Sequence, residues 1–137
     1  MAIRKRGGTP LACAVWLGLF AAPEVMAQTW WVTGGTTSTV DGQTYDSGIV
    51  ANIDGAAVRV ENAGSKAVGT NITVKTGGEN APGIYAGSDG EVDLTDFTVT
   101  TTADSARGIV VSSSNAALRN ASVSTDGLIA TGIDVAA

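Results

Sequence analysis

Histidine is absent from this chain, and cysteine occurs once, at position 13. The first absence excludes Ser-His-Asp and Cys-His catalytic machinery, and together they leave no good transition-metal site. Bases are scarce too. Beyond Arg4, Lys5 and Arg6 they are scattered, whereas phosphate binding needs Lys and Arg in clusters, so no nucleic-acid partner is expected. Long apolar runs are also missing. The longest, Leu11 to Ala22, stops at Pro23-Glu24, short of the roughly 20 residues that cross a bilayer.

What is present at the N-terminus is a positive head, that short apolar run, and the small residues Val25 and Ala27 at cleavage subsites. This is the pattern of a secretory signal peptide over residues 1–27. Cys13 follows Leu11-Ala12, but Pro10 and the lack of an apolar stretch before it argue against a lipoprotein site. Cleavage takes away Glu24 and the three leading bases; the remaining twelve acids and five bases give a net charge of −7. The exported part then holds no cysteine. Small exported domains often rely on disulfides, so this one needs another stabilising device or must stay unfolded for a second membrane crossing.

The stabilising device is a repeat. Gly83-Ile84-Tyr85-Ala86 recurs as Gly108-Ile109-Val110-Val111 and again as Gly132-Ile133-Asp134-Val135. Periods of this length indicate stacked coils. Within a coil, Val92 and Leu94 alternate with Glu91, Asp93 and Thr95; past Asp96 the phase shifts, placing Phe97 and Val99 inward and Thr98 and Thr100 outward. A corner is therefore expected near Thr95-Asp96. Residues 71–76, 96–101 and 120–125 align as one strand in three coils, with turn-forming residues at 77–80, 87–90 and 112–115.

Short strands with Gly, Asn and Asp corners cannot bury their apolar residues singly, whereas stacked coils bury them all. The expected fold is all-β, a parallel β-helix with coils of about 24–25 residues. Its interior would hold Ile84, Val92, Leu94, Val99, Ile109, Leu118, Val123 and Ile133. An antiparallel β-sandwich also has short alternating strands, but its segments need not align at a constant period. Gly and the Thr/Ser/Val-rich runs oppose helix throughout.

Gly48-Ile49-Val50-Ala51 resembles another coil start, although it precedes Gly83 by a full period plus roughly ten residues. The pattern is expected to break near Gly69-Thr70, with β-helix repeats over residues 48–137 and an N-terminal cap over residues 28–47. Trp30, Trp31 and Tyr45 suit a cap over the mouth of the tube; paired tryptophans can instead mark a carbohydrate-stacking site.

Gly-Ile-Tyr-Ala, then Gly-Ser-Asp-Gly-Glu-Val-Asp-Leu and Phe-Thr-Val-Thr-Thr, then the renewed Arg-Gly-Ile-Val-Val, resembles the passenger repeats of pertactin-like autotransporters over about residues 48–137. The resemblance implies a right-handed parallel β-helix and an adhesin or virulence factor without catalytic activity, placed at the cell surface, outer membrane or periplasm of a Gram-negative bacterium, with a host-cell or surface ligand as partner. It also implies a C-terminal outer-membrane translocator barrel. No ten-residue amphipathic membrane strands occur here, and the sequence stops inside a coil at Asp134-Val135-Ala136-Ala137, as an N-terminal fragment or truncated gene product would. An Arg-Gly-Asp motif is lacking, so integrin binding is not implied.

Carboxylates are the remaining candidates for chemistry. Asp89, Glu91, Asp93 and Asp96 are spaced almost like calcium-loop ligands, but the position that needs glycine is Leu94. Strand alternation accounts for them as a solvated outer face, and no cofactor or metal is expected. Asn71-Ile72-Thr73 and Asn120-Ala121-Ser122 match the glycosylation pattern, which carries little weight in a bacterial chain. Two function classes follow: a binding stalk with no catalytic residues, or the N-terminal part of a β-helical polysaccharide-active enzyme. In the second, Arg59, Lys75, Arg107 and Arg119 would help line an external groove.

Overall fold

The computed structural model describes residues 28–137; the export signal expected over residues 1–27 lies outside the described residues. Eleven strands follow one another among them: β1 (Trp30–Val32), β2 (Thr37–Asp41), β3 (Thr44–Asp46), β4 (Val58–Glu61), β5 (Lys66–Thr70), β6 (Thr73–Thr76), β7 (Pro82–Gly87), β8 (Glu91–Thr101), β9 (Arg107–Ser112), β10 (Asn115–Thr125) and β11 (Thr131–Ala136). The one helical interruption among the described residues is a single 3-10 turn, Ile53–Gly55. One sheet runs β1-β4-β7-β9-β11, and the other runs β2-β5-β8-β6-β3 with β10 also on β8. All pairs between named strands are parallel. The chain is a parallel β-helix of about four turns. Its first coil is β1–β3, its second β4–β6, its third β7–β8 and its fourth β9–β10, while β11 opens a fifth.

Register follows the repeat read from the sequence. Val74 faces Val99, which faces Val123, and Leu94 faces Leu118. Strand β8 alternates inward apolar and outward polar residues on both sides of Asp96. The corner there is made by a left-handed backbone, and the same conformation recurs in every stacked neighbour: Gly42, Asn71, Asp96 and Asn120 have φ of 69°, 54°, 54° and 51°. Asn120 Nδ2 donates to Asp96 Oδ1 at 2.8 Å, and Asn71 Nδ2 donates to Asp41 Oδ1 at 3.0 Å. Short polar side chains tolerate this conformation because they hydrogen-bond locally, which is why Asn and Asp fill the column.

Two further corner columns share the device. Gly34, Asn62, Ser88 and Ser113 form one, and Asn52, Asn80, Ser105 and Ile129 the other, all with positive φ. Ile129 is the anomaly. It is β-branched, 88% exposed and held at φ 61°, a conformation that costs a residue of its shape roughly 1–2 kcal/mol.

The recurring Gly of each Gly-Ile pair has a different cause, since its φ is not positive. A Cβ at Gly83 would lie 2.5 Å from Val99 Cγ1, and one at Gly108 would lie 2.4 Å from Val123 Cγ1. In the third and fourth coils the valine of the closing strand and the carbonyl of the next coil's glycine leave no room for a Cβ, whereas the aligned residue of the second coil is Ala57. Gly132 meets nothing within 4 Å.

The core is a column of small aliphatics: Val58, Val60, Ile84, Val92, Leu94, Val99 and Ile109 are all buried. Leu118 and Val123 in the fourth coil are only partly buried, and Ile133 on β11 is exposed.

Three expectations for the N-terminal half are corrected. Residues 28–47 are the first coil itself rather than a separate cap, because β1, β2 and β3 pair in register with β4, β5 and β6. Gly48-Ile49 is not a coil start: the residue aligned with Ile84 is Val58, while Gly48 makes a turn at φ 64° and Ile49 is exposed. Nor does the pattern break at Gly69-Thr70, which lie in register with Leu94-Thr95. The inward residues there shrink to Ala67 and Gly69 to admit an aromatic ring. A Cβ at Gly69 would come within 2.8 Å of Leu94 Cδ2 and 3.4 Å of Trp30 Cζ3.

Gly83→Ala should cost about 1–3 kcal/mol by overpacking, while Gly132→Ala should stay within about 0.5 kcal/mol of the parent; equal shifts in urea melts would refute the closing-valine account. Ile129→Asn, restoring the residue type that stands at Asn52 and Asn80, should raise stability by about 1–2 kcal/mol. A neutral or destabilising result in the same melts would show that Ile129 is not strained.

Candidate functional site

The outward residues of the β1-β4-β7-β9-β11 sheet form a vertical column in which Trp31, Arg59, Tyr85, Val110 and Asp134 are successive register partners. Alternation along three-residue β1 sends Trp30 inward and Trp31 outward. Trp30 stacks on Tyr45 with ring centroids 5.4 Å apart, and its Nε1 donates to Ser38 Oγ at 2.9 Å. Both rings fill the first coil from inside, as a residue closing the tube must. Burial raises the Tyr45 hydroxyl above its ordinary pKa. Trp31 is 61% exposed and lies under the Arg59 guanidinium, 5.1 Å from the ring centroid.

Arg59 is fixed from two sides, by Nε donating to Glu61 Oε2 at 2.8 Å and Nη1 to Asp54 Oδ1 at 2.9 Å. Partial burial works against its charge, but the hydrogen bonds and fields of Glu61 and Asp54 outweigh it and leave its pKa above the ordinary value. The guanidinium is thereby a fixed plate over Trp31, an arrangement worth about 0.5–1 kcal/mol at an exposed site.

Farther along the same face lies a cleft of about 210 Å³. Its apolar lining includes Ile53, Pro82, Tyr85 and Val110, of which Pro82 and Val110 are buried. Tyr85 lies low. A Cβ at Gly87 would be 2.4 Å from Tyr85 Oη and 2.6 Å from Cζ, so the ring extends along its own strand over a residue that has no side chain. The polar lining comes from Asn80, Ser112, Arg107 and Asp134. Arg107 Nη1 is 3.5 Å from Asp134 Oδ2, and both side chains are about half exposed.

The four bases singled out from sequence do not converge. Arg59 and Arg107 share the column face, but Lys75 lines a separate cleft of about 250 Å³ beside Asp46 and Thr100, and Arg119 on β10 pairs with Asp93. Nor do the four acids form a common site. Glu91 accepts from Lys66 Nζ, Asp93 from Arg119 and Asp96 from Asn120, each partner standing in an adjoining coil. The hydrogen bond from Lys66 to Glu91 raises the lysine pKa. Asp89 stands apart in a left-handed turn at φ 64°. Among the described residues no group of three His, Cys, Asp or Glu is placed to hold a metal ion.

Tyr85, Asn80 and Asp134 had no part in the groove expected from sequence. The signal for two of them was nonetheless present, since Tyr85 and Asp134 occupy the third position of the aligned Gly-Ile segments, and that position points outward in each. No protein-family model, curated protein or solved structure matches the chain.

Because Glu91, Asp93 and Asp96 are each engaged by a neighbouring coil, millimolar calcium should leave the thermal midpoint of the chain unchanged. A rise of several degrees, which linkage requires of any ligand present well above its Kd, would reinstate the calcium-loop reading.

Proposed function

We propose that the chain is the exported passenger part of an autotransporter-like surface protein, a non-catalytic β-helical stalk that binds through its outer face. One observation carries this reading. Among the described residues, apart from an isolated bridge between Gln28 and Asp46, strands pair only with their equivalents in adjoining coils, without any cross-link. Such a structure can nucleate in any coil and propagate rung by rung to its neighbours. This suits a chain delivered across an outer membrane as an extended polymer and folding as it emerges. A signal peptide over residues 1–27 supplies the first crossing in this reading, and a translocator barrel from the full-length protein the second.

The polysaccharide-active alternative draws on the cleft beside Arg107 and Asp134. Glycoside hydrolysis ordinarily needs two carboxylates flanking the scissile bond, and the cleft offers one, Asp134. Its partner Arg107 suits it to holding a ligand. Binding is therefore the better account of the same residues.

Fused ahead of an outer-membrane translocator barrel in a Gram-negative host, the whole chain should be cleaved after Ala27. It should then react with antibody on intact cells and release no sugars from polysaccharide substrates. A mature protein that still contains Trp16 would refute the export reading, and sugar release abolished by Asp134→Asn would establish the enzyme instead.

A further inference from the structure

We infer that the cleft lined by Val110 is a binding site for a neutral oligosaccharide, with Tyr85 as its stacking platform and Arg107, Asp134 and Asn80 as its hydroxyl-reading groups. The inference deepens the passenger reading by naming a ligand class for the outer face, and it rests on that reading only for where the ligand would be met.

Four observations converge on this class. The Tyr85 ring lies along the sheet because Gly87 leaves room beneath it. It thus presents a flat apolar surface with a polar tip, which matches the C–H face of a pyranose ring bordered by hydroxyls. Arg107 and Asp134 stand half exposed and 3.5 Å apart, a loose contact that leaves most guanidinium donors and carboxylate lone pairs unused. A sugar diol needs such donors and acceptors side by side, and the Asn80 amide and the Ser112 hydroxyl each add both kinds.

The cleft is also only about half enclosed, and its lining includes the apolar Ile53, Pro82, Tyr85 and Val110. A half-open cleft suits a segment of a longer chain better than a compact metabolite, which is ordinarily enclosed over most of its surface. Charge decides between kinds of polymer. The cleft's one base is matched by its one carboxylate, Asp134, and the exported chain carries −7, so a sulfated or uronic-acid polymer would be repelled where a neutral one is not.

The column continues past the cleft. Trp31 lies two rungs from Tyr85, with Arg59 between them, which is roughly 10 Å at strand spacing. A long oligosaccharide bound at Tyr85 reaches Trp31, and a short one does not.

The test uses the full chain after export and purification, titrated by calorimetry with neutral di- and hexasaccharides of the cello, manno, xylo and chito series, and with a heparin hexasaccharide. At least one neutral hexasaccharide should bind, and heparin should not. Tyr85→Ala should weaken binding about tenfold, the ratio that corresponds to loss of one aromatic stacking contact, while Tyr85→Phe retains most of it. Gly87→Ala, which displaces the ring without altering any ligand-facing group, should weaken binding similarly. Trp31→Ala should reduce affinity for the hexasaccharide and leave the disaccharide unaffected. Far-UV circular dichroism identical to the parent's confirms that each variant is folded. Failure of every neutral sugar to bind, preference for heparin, or unchanged affinity in folded Tyr85→Ala and Gly87→Ala would each overturn the site. Surface display in the fusion experiment is read independently, so loss of sugar binding with display intact rejects the site alone, and the converse rejects the passenger reading alone.

Discussion

Three left-handed positions recur in every coil at the same places, and the stacking of the whole molecule depends on them. A parallel strand pair is indifferent to side chains along its length, but a corner is not. If one coil turned a residue earlier than its neighbour, every inward side chain beyond that corner would point outward. The columns Gly34–Asn62–Ser88–Ser113, Gly42–Asn71–Asp96–Asn120 and Asn52–Asn80–Ser105–Ile129 prevent this. Eight of the twelve residues are Gly, Asn or Asp, for which positive φ costs little, and three of the Asn side chains, Asn62, Asn71 and Asn120, bind a neighbouring coil as well. The corners therefore set the register, and the register in turn sets the core.

Once register is fixed, each inward position must be sized against its own coil as well as against the coils above and below. The first two coils show the adjustment. Trp30 and Tyr45 fill the interior of the first coil, and the second coil compensates at Ala67 and Gly69, where the third carries Val92 and Leu94. In the third and fourth coils the compensation takes another form: Val99 and Val123 reach across the tube, and Gly83 and Gly108 yield to them. Glycine thus serves two unrelated purposes here, freedom of φ at some corners and lack of volume inside the tube.

That double use explains which parts of the fold were legible in the sequence. From Val74 onward the period is nearly constant, as the stacked Val74, Val99 and Val123 show, and the strand alignment, the corner at Asp96 and the inward set could all be read directly. Before it the coils lengthen: the stacked residues Trp30, Val58 and Ile84 are separated by longer stretches of chain, and the dipeptide Gly48-Ile49 imitates a coil start. The imitation fails physically, because Gly48 is a left-handed turn whereas Gly83 is squeezed by a valine. Gly69-Thr70 read as a break in the repeat because the false start at Gly48 left about ten residues over, and the ring that Gly69 makes room for, Trp30, lies more than a full coil earlier in the chain. The candidate site was less legible still. The outward position of Tyr85 followed from alternation, but its flat placement depends on Gly87, and its neighbours Asn80, Arg107 and Asp134 come from three different coils.

This vertical arrangement separates function from folding. On the outer face a site is written one residue per coil, with Trp31, Arg59, Tyr85, Val110 and Asp134 falling in one line at roughly 4.8 Å per rung. Four of these five side chains are left at least partly exposed, and none belongs to the apolar cluster inside the tube. Changing one of them leaves corners and core untouched, whereas a change at Leu94 or Val99 alters the packing of adjoining coils. A β-helix of this kind is free to vary its outward columns while its inward ones stay constrained. Folding alone places no demand for a face that unites an aromatic plate, a guanidinium held by two carboxylates and a cleft.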